Sequence, residues 1–199
     1  MSYEKRSYRK KQRAESEAET RLRITESAME LHGTVGPSRT SVSAVAERAG
    51  VRRSTVYRHF PDEAALFAAC SAHWVAGNPR PDTGAWAAIA DPAERVRTAL
   101  PELYAYYRRS EQMLANLHRD EELVPAVKKQ FAAYHEFVAM MQQILVAGHG
   151  VRGRARELLP AAAGHAVAFT TWQSLARDQK LDDERAADLM ARLVTAASA

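Results

Sequence analysis

Seven side chains in one short stretch of the sequence have the chemistry that binds DNA. Arginine can donate two hydrogen bonds to the O6 and N7 atoms of guanine, and threonine can offer its methyl group to thymine. Serine, tyrosine and histidine commonly donate hydrogen bonds to phosphate oxygens. The residues concerned are Arg52, Arg53, Ser54, Thr55, Tyr57, Arg58 and His59. Their spacing predicts a short helix with one polar, cationic face.

The residues around this stretch have the pattern of two helices that cross through a tight turn. Close crossing needs a small residue on the first helix, which Ala46 supplies, and Gly50 suits the left-handed turn four residues later. Val56 would join the two helices from the inner side of the second. Val45, Ala49 and Val51 complete a small apolar core. A solvated face is the alternative for any basic helix, but these positions in register favour a DNA-reading helix.

Each candidate DNA contact has a predicted role. In a helix-turn-helix the first residues of the second helix enter the major groove. We therefore expect Arg53, with Ser54 and Thr55, to read base edges, and Tyr57 and His59 to hold the backbone. Further candidate DNA contacts lie nearby, namely Ser41, Ser43, Arg52 and Arg58.

The elements that must position these residues are all helices in the sequence pattern, and no segment is typical of a β-strand. We expect an all-α protein of about nine helices. The Gly- and Pro-rich segment 77–84 predicts a domain boundary, because a helix cannot persist through it. The predicted organisation is a disordered basic arm at 1–15, a DNA-binding domain with a connecting helix at 16–77, and a helical domain at 78–199. Predicted helices of the last domain cover about 92–109, 111–118, 121–147, 154–179 and 183–197.

Charge is unevenly distributed along the chain. Residues 1–60 hold 13 Lys and Arg against 7 Asp and Glu, whereas the rest holds 15 against 17. Six of the basic residues lie within the first 13, which is typical of a segment that binds a polyanion, although a solubilising tail is the alternative. Cys70 is the only cysteine, so no internal disulfide is possible. Without a signal-like or membrane-spanning apolar run, a cytoplasmic location is expected.

The second domain is rich in aromatic residues and methionine, which often line pockets for apolar ligands between helices. An ordinary core is the alternative for any one of them. Tyrosine and tryptophan carry a polar atom that needs a partner when buried, so they are the better candidates. The predicted ligand-binding residues are Tyr104, Tyr107, Leu117, Tyr134, Met141 and Trp172. Apolar stripes on the last two predicted helices fit either a homodimer interface or a monomer core.

Other motifs do not support catalysis or cofactor binding. The segment 148–153 matches G-x-G-x-x-G, but a dinucleotide site needs a strand before it, and the pattern predicts a helix there. The seven histidines lack metal-binding spacing along the chain. We therefore expect no catalytic residues, no metal and no cofactor.

The stretch from Val45 to Leu66 resembles the TetR family of bacterial transcriptional regulators. The residues that carry the resemblance are Val45-Ala46, Ala49-Gly50-Val51, Ser54 to Pro61, and Leu66. The resemblance implies a three-helix DNA-binding domain, a connecting helix, and a variable domain that binds a small molecule and forms a homodimer through its last two helices. It implies a repressor that a ligand releases from a pseudo-palindromic DNA operator.

One residue departs from that pattern. The family usually has lysine three residues after the Phe of this motif, where it touches phosphate, and this chain has Glu63. A carboxylate at the start of a helix repels DNA, which leaves the strength of binding open. Two other functions are alternatives: an architectural DNA-binding protein without a ligand, and a helical enzyme.

Overall fold

The computed structural model describes residues 2–199, with side chains from residue 7 onward. The described residues form ten α-helices and no β-strand, which confirms the all-α prediction. The helices are α1 (Ser2–Thr34), α2 (Val42–Arg48), α3 (Arg53–His59), α4 (Glu63–Gly77), α5 (Thr83–Ala88), α6 (Pro92–Asp120), α7 (Pro125–Val146), α8 (Ala155–Ala166), α9 (Phe169–Gln173) and α10 (Asp183–Ala197). A 3-10 turn, Pro37–Arg39, precedes α2, and a π turn, Ser174–Asp178, follows α9.

Several helices begin where the sequence places an oxygen-bearing cap. The side chains of Ser41, Asp62, Asp82 and Asp182 each accept a hydrogen bond from a backbone N–H in the first turn that follows. Such caps satisfy donors that have no partner inside the helix. They fix the start of α2, α4, α5 and α10.

The chain forms two compact units. The first contains the residues up to Asn78 together with Ala115–Gln130, and the second contains Pro79–Leu114 and Phe131–Ala199. In the first unit α1 packs against α2 and α4, and α2 packs against α3. In the second unit α10 packs against α8. The sequence predicts a single domain boundary near residue 77. In the structure the first unit also includes residues 115–130, so it consists of two stretches of the chain.

The basic arm differs from its prediction as a disordered segment. Helix α1 begins at Ser2 and runs through the whole arm. The arm is rich in Lys, Arg, Gln and Glu, which are good helix formers, and Lys11 lies 3.9 Å from Glu15 in an i,i+4 pair. The side chains of Lys5 and Arg6, two of its six basic residues, lie outside the described residues.

Helix boundaries in the second unit also differ from the prediction. Helix α6 is continuous through residue 110 and through Pro101, because no residue near 110 interrupts helix formation. Helix α7 starts only at Pro125, after a turn at 121–123. The predicted helix 154–179 is interrupted at Val167 and Ala168. None of the helices in the described part of the chain combines the length and apolar character needed to span a bilayer.

Candidate nucleic-acid and ligand sites

The turn between α2 and α3 has the geometry that the sequence predicts. Gly50 has φ +65°, a left-handed conformation that glycine adopts without strain. The N–H of Val51 donates to the carbonyl of Ala46 at 2.9 Å, which closes the turn. Helix α3 then starts at Arg53.

An apolar core on the inner side fixes the angle between the helices of the first unit. Val56 of α3 and Phe60, which follows α3, are 1% exposed, so neither side chain can contact DNA. They pack in a cluster with residues of α1, α2 and α4, namely Ile24, Ala28, Val42, Val45, Ala46, Ala49, Leu66, Phe67 and Cys70. Of the predicted inner positions, Val45, Ala46, Ala49 and Val56 lie in the core, whereas Val51 is partly buried and packs against it.

Helix α1 holds the C-terminal end of α3. The guanidinium of Arg21 donates to the carbonyl of His59 at 2.5 Å and lies 4.1 Å from the centre of the Phe60 ring. A cation at the last carbonyls of a helix also complements the helix dipole. This contact fixes α3 against α1 at the end opposite to Arg53.

Most of the predicted DNA contacts are exposed, with two qualifications. The exposed residues are Arg52, Arg53, Ser54, Tyr57 and Arg58, together with Ser41 and Ser43 at the start of α2. Thr55 is half-buried. The Oγ of Ser41 caps α2 by accepting from the N–H of Ala44 at 3.1 Å. Its side chain therefore has a structural role besides any contact with DNA.

His59 is less available than the sequence suggests. The residue is half-buried, and its Nε2 is enclosed and without a hydrogen-bond partner among the described residues. Burial, and then the charges of Arg58 and Arg21, lower the pKa of His59. The lowered pKa favours the neutral imidazole, which is a weaker partner for a phosphate than the cation.

Arg53 and Tyr57 form a pair that the sequence reasoning missed. The Nη2 of Arg53 donates to the Tyr57 hydroxyl at 3.1 Å, and the guanidinium carbon lies 5.5 Å from the ring centre. The hydrogen bond to Tyr57, and at longer range the carboxylate of Glu63, raise the pKa of Arg53. The i,i+4 spacing was the available signal, because residues four apart share a helix face.

A polar cluster holds the loop in front of α2. Asp120, at the end of α6, is fully buried and accepts from the N–H of Ser38 at 2.9 Å and from the guanidinium of Arg119. Burial acts to raise the pKa of Asp120, but these hydrogen bonds outweigh it and lower the pKa. Asn116 donates to the carbonyls of His32 and Gly33 at the end of α1.

Five of the six predicted ligand-binding residues lie buried in the second unit. Tyr104, Tyr107, Met141 and Trp172 are fully enclosed, and Tyr134 is 4% exposed. Leu117 belongs instead to the first unit, where it packs against the apolar core. Leu117 therefore belongs to a different unit from the other five.

The polar atoms of the buried aromatic residues already have protein partners. Tyr104 donates to the carbonyl of Ala166 at 2.9 Å, and Tyr107 donates to that of Val167 at 2.6 Å. These two carbonyls lie where α8 ends, so the two tyrosines stabilise the interruption before α9. Trp172 donates to Asp183 at 2.9 Å, and Arg108 pairs with the same carboxylate at 2.7 Å.

The second unit also contains a cleft outside this aromatic cluster. It has a volume of about 230 Å³ and is lined by Ala87, Arg95, Met140, Gln143, Ile144 and Ala147. Arg95 is 6% exposed and donates to the carbonyls of Ile89, Ile144 and Ala147. None of the predicted ligand-binding residues lines this cleft.

Comparison with known proteins gives a sequence match within the first unit and a fold match over most of the chain. Residues 24–70 match the model of the family described as bacterial regulatory proteins, tetR family. No curated protein sequence matches the chain. The match covers the end of α1, all of α2 and α3, and residues 63–70 of α4. It therefore includes every candidate DNA contact.

Two solved structures illustrate the similarity of fold. A TetR-like transcriptional regulator from Rhodococcus sp. RHA1 is 19% identical, with a TM-score of 0.63 over 88% of this chain and 93% of that chain. NalD from Pseudomonas aeruginosa, described as the secondary repressor of the MexAB-OprM multidrug efflux pump, is 21% identical. Its TM-score is 0.58 over 92% of this chain and 97% of that chain. At these identities the likeness concerns the fold alone.

Proposed function

We propose that the chain is a transcriptional regulator of the TetR family, whose model matches residues 24–70, and that it represses from a pseudo-palindromic DNA operator. The repressor acts as a homodimer and is released from DNA by a small, largely apolar ligand. The observation that carries this proposal is the geometry around α3. The helix presents Arg53, Ser54 and Tyr57 outward while Val56 and Phe60 are locked in the core.

The basic arm supports binding to the DNA backbone. Arg9 and Arg13 lie four residues apart and therefore share one face of α1. At 1.5 Å per residue, α1 continues about 18 Å from Arg21 back to Arg9. Arg21 is the residue that binds the end of α3. Because the arm is helical, it carries its cations along the axis of α1, which contacts the end of α3. We propose that the arm increases affinity for DNA and does not contribute to base preference.

Exposed leucines on the second unit support the homodimer. Leu158 on α8 is 44% exposed, and Leu189 and Leu193 on α10 are 44% and 40% exposed. Helices α8 and α10 pack against each other, and the surface of this helix pair carries exposed leucine on both helices. A twofold copy of that surface would cover them in a four-helix arrangement, the isologous form common to homodimers.

The aromatic cluster supports a ligand of mainly apolar character. Tyr107 lies 6.3 Å from Tyr104, 5.5 Å from Phe169 and 6.0 Å from Trp172 between ring centres. Tyr104 and Tyr107 both donate to backbone carbonyls at the end of α8, so a ligand that displaced either hydroxyl would act on the junction between α8 and α9. NalD, which shares the fold, is described as a repressor.

The test is selection of binding sites from random double-stranded DNA by the full chain. We expect enrichment of a pseudo-palindrome, and Arg53→Ala should lose preference at one position in each half-site by about 5- to 150-fold. Deletion of residues 1–13 should weaken all sequences alike and flatten the salt dependence, whose log–log slope is about −0.9 per phosphate contact. Failure of the parent chain to enrich any sequence would overturn the proposed function.

A further inference from the structure

The pair formed by Arg53 and Tyr57 indicates a role for Tyr57 other than contact with the DNA backbone. From this pair we infer that Tyr57 is a positioning residue, which holds the Arg53 guanidinium for reading one base pair in each half-site. The inference rests on the proposed function and deepens it. It predicts that Tyr57 determines sequence preference through Arg53.

The contact geometry is the first support. Arg53 is the first residue of α3, and Tyr57 follows one turn later on the same exposed face. The hydroxyl accepts from Nη2 at 3.1 Å, while the guanidinium carbon lies 5.5 Å from the ring centre. Both contacts act on the same group, so Tyr57 restricts where the guanidinium lies and which N–H groups remain outward.

The second support is the chemistry of base reading. Arginine recognises guanine through two parallel N–H donors in one plane, which demands a fixed orientation of the fork. An exposed arginine at the start of a helix otherwise samples many rotamers, and that freedom is lost on binding. A partner that restricts the side chain before DNA arrives therefore raises discrimination at the base that it reads.

Glu63 adds a negative charge that also acts on Arg53. It is exposed at the first position of α4. The hydrogen bond to Tyr57 orients the Arg53 guanidinium in the presence of that charge. Glu63 is the residue at which the chain departs from the usual family pattern, so the pairing with Tyr57 matters more here than it would beside a lysine.

The Tyr57 hydroxyl retains a function as donor. A phenol oxygen can accept one hydrogen bond and donate another, so Tyr57 can accept from Arg53 and donate to a phosphate. Loss of the hydroxyl then has two effects, a uniform loss of affinity and a loss of preference at one position. Only the second effect distinguishes positioning from backbone contact.

The experiment compares base preferences of the parent, Arg53→Ala, Tyr57→Phe and the double variant by selection from random duplexes, followed by titration of single-position operator variants. Tyr57→Phe should reduce preference about 2- to 10-fold, as expected for one hydrogen bond, at the position that Arg53→Ala also affects. In the double variant, preference there should equal that of Arg53→Ala alone. The matched control is Arg58→Ala, an exposed cation of the same helix, which should weaken all sequences alike.

The outcomes separate the two proposals. If the parent selects an operator and Tyr57→Phe keeps its full base preference while losing affinity uniformly, Tyr57 is a backbone contact and the inference is wrong. Additive losses of preference in the double variant would overturn it equally. If the parent selects no sequence, the proposed function itself fails. Circular dichroism melting of each variant checks that α3 remains folded, which we expect because Tyr57 is 39% exposed.

Discussion

At the scale of single residues, His32 is a buried ionisable group in the core of the first unit. Its Nδ1 lies 3.3 Å from the Cys70 sulfur, and its ring centre lies 5.2 Å from that of Phe67. Burial lowers the pKa of His32 to about 4, although the charge of Asp120 acts in the opposite direction. Burial likewise raises the pKa of the Cys70 thiol to about 12. Both groups are therefore neutral at pH 7.

The lowered pKa of His32 predicts a loss of stability in mild acid. In the unfolded chain the histidine pKa is about 6.5, so between that pH and about 4 the unfolded state binds the proton and the folded state does not. The free energy of unfolding should fall by up to about 1.4 kcal/mol for each pH unit in this window. Urea unfolding of His32→Gln should show a flatter pH dependence than the parent.

The half-buried His73 of α4 provides a matched control for this measurement. His73→Gln removes a histidine that lies 3.9 Å from Glu26 and is not part of the apolar core. It should retain the parent's slope between pH 5 and 6.5 within about 0.3 kcal/mol per unit, well below the full effect of one histidine. Equal slopes in the parent and His32→Gln would show that His32 is not the group that titrates.

At the scale of elements, two glycines shape the segments on either side of α2. Gly36 and Gly50 have φ of +95° and +65°. A Cβ at Gly50 would meet nothing within 4 Å, whereas one at Gly36 would collide with the Arg119 guanidinium and lie 2.7 Å from the Asp120 carboxylate. Gly50 is therefore needed for its left-handed backbone conformation. Gly36 is needed for its positive φ and also because the Arg119 and Asp120 side chains leave no room for a Cβ.

We therefore expect substitution of these two glycines by alanine to lower the free energy of unfolding by unequal amounts. Gly50→Ala should lower the free energy of unfolding by about 1 kcal/mol, the cost of a left-handed alanine. Gly36→Ala should cost about 3 kcal/mol or more, because the polar cluster around Asp120 must also shift. Denaturant unfolding of both variants checks the order, and equal losses would contradict the role assigned to the cluster.

The local elements near α3 were predictable because short-range chemistry determines them. The Ser41 cap, the Gly50 turn and the inward Val56 depend on residues within one or two turns. The interruption at Val167 was not predictable from the sequence pattern. It depends on hydroxyl groups of Tyr104 and Tyr107, which lie about sixty residues away along the chain. The same limit applies to Leu117, whose spacing fits a ligand site although its neighbours belong to the first unit's core.

At the scale of the whole molecule, the two units have different surface chemistry. The first carries exposed cations on α1 and α3, and the second carries exposed leucines on α8 and α10. An operator with two half-sites needs two reading helices, and one chain supplies one. Dimerisation through the second unit would link two copies of α3, so that both half-sites are bound in one event with higher overall affinity.

The proposed dimer surface predicts the effect of a charge on α10. Leu193→Glu should break the homodimer, since the interface would have to bury an unpaired carboxylate. The dimer dissociation constant should rise by at least about 10-fold, equivalent to about 1.4 kcal/mol, and operator affinity should fall with it. The control is Thr195→Glu, an exposed residue on the opposite side of the helix at 3.6 residues per turn. If sedimentation velocity gives the same dimer for Leu193→Glu as for Thr195→Glu, the leucines of α10 do not form the interface.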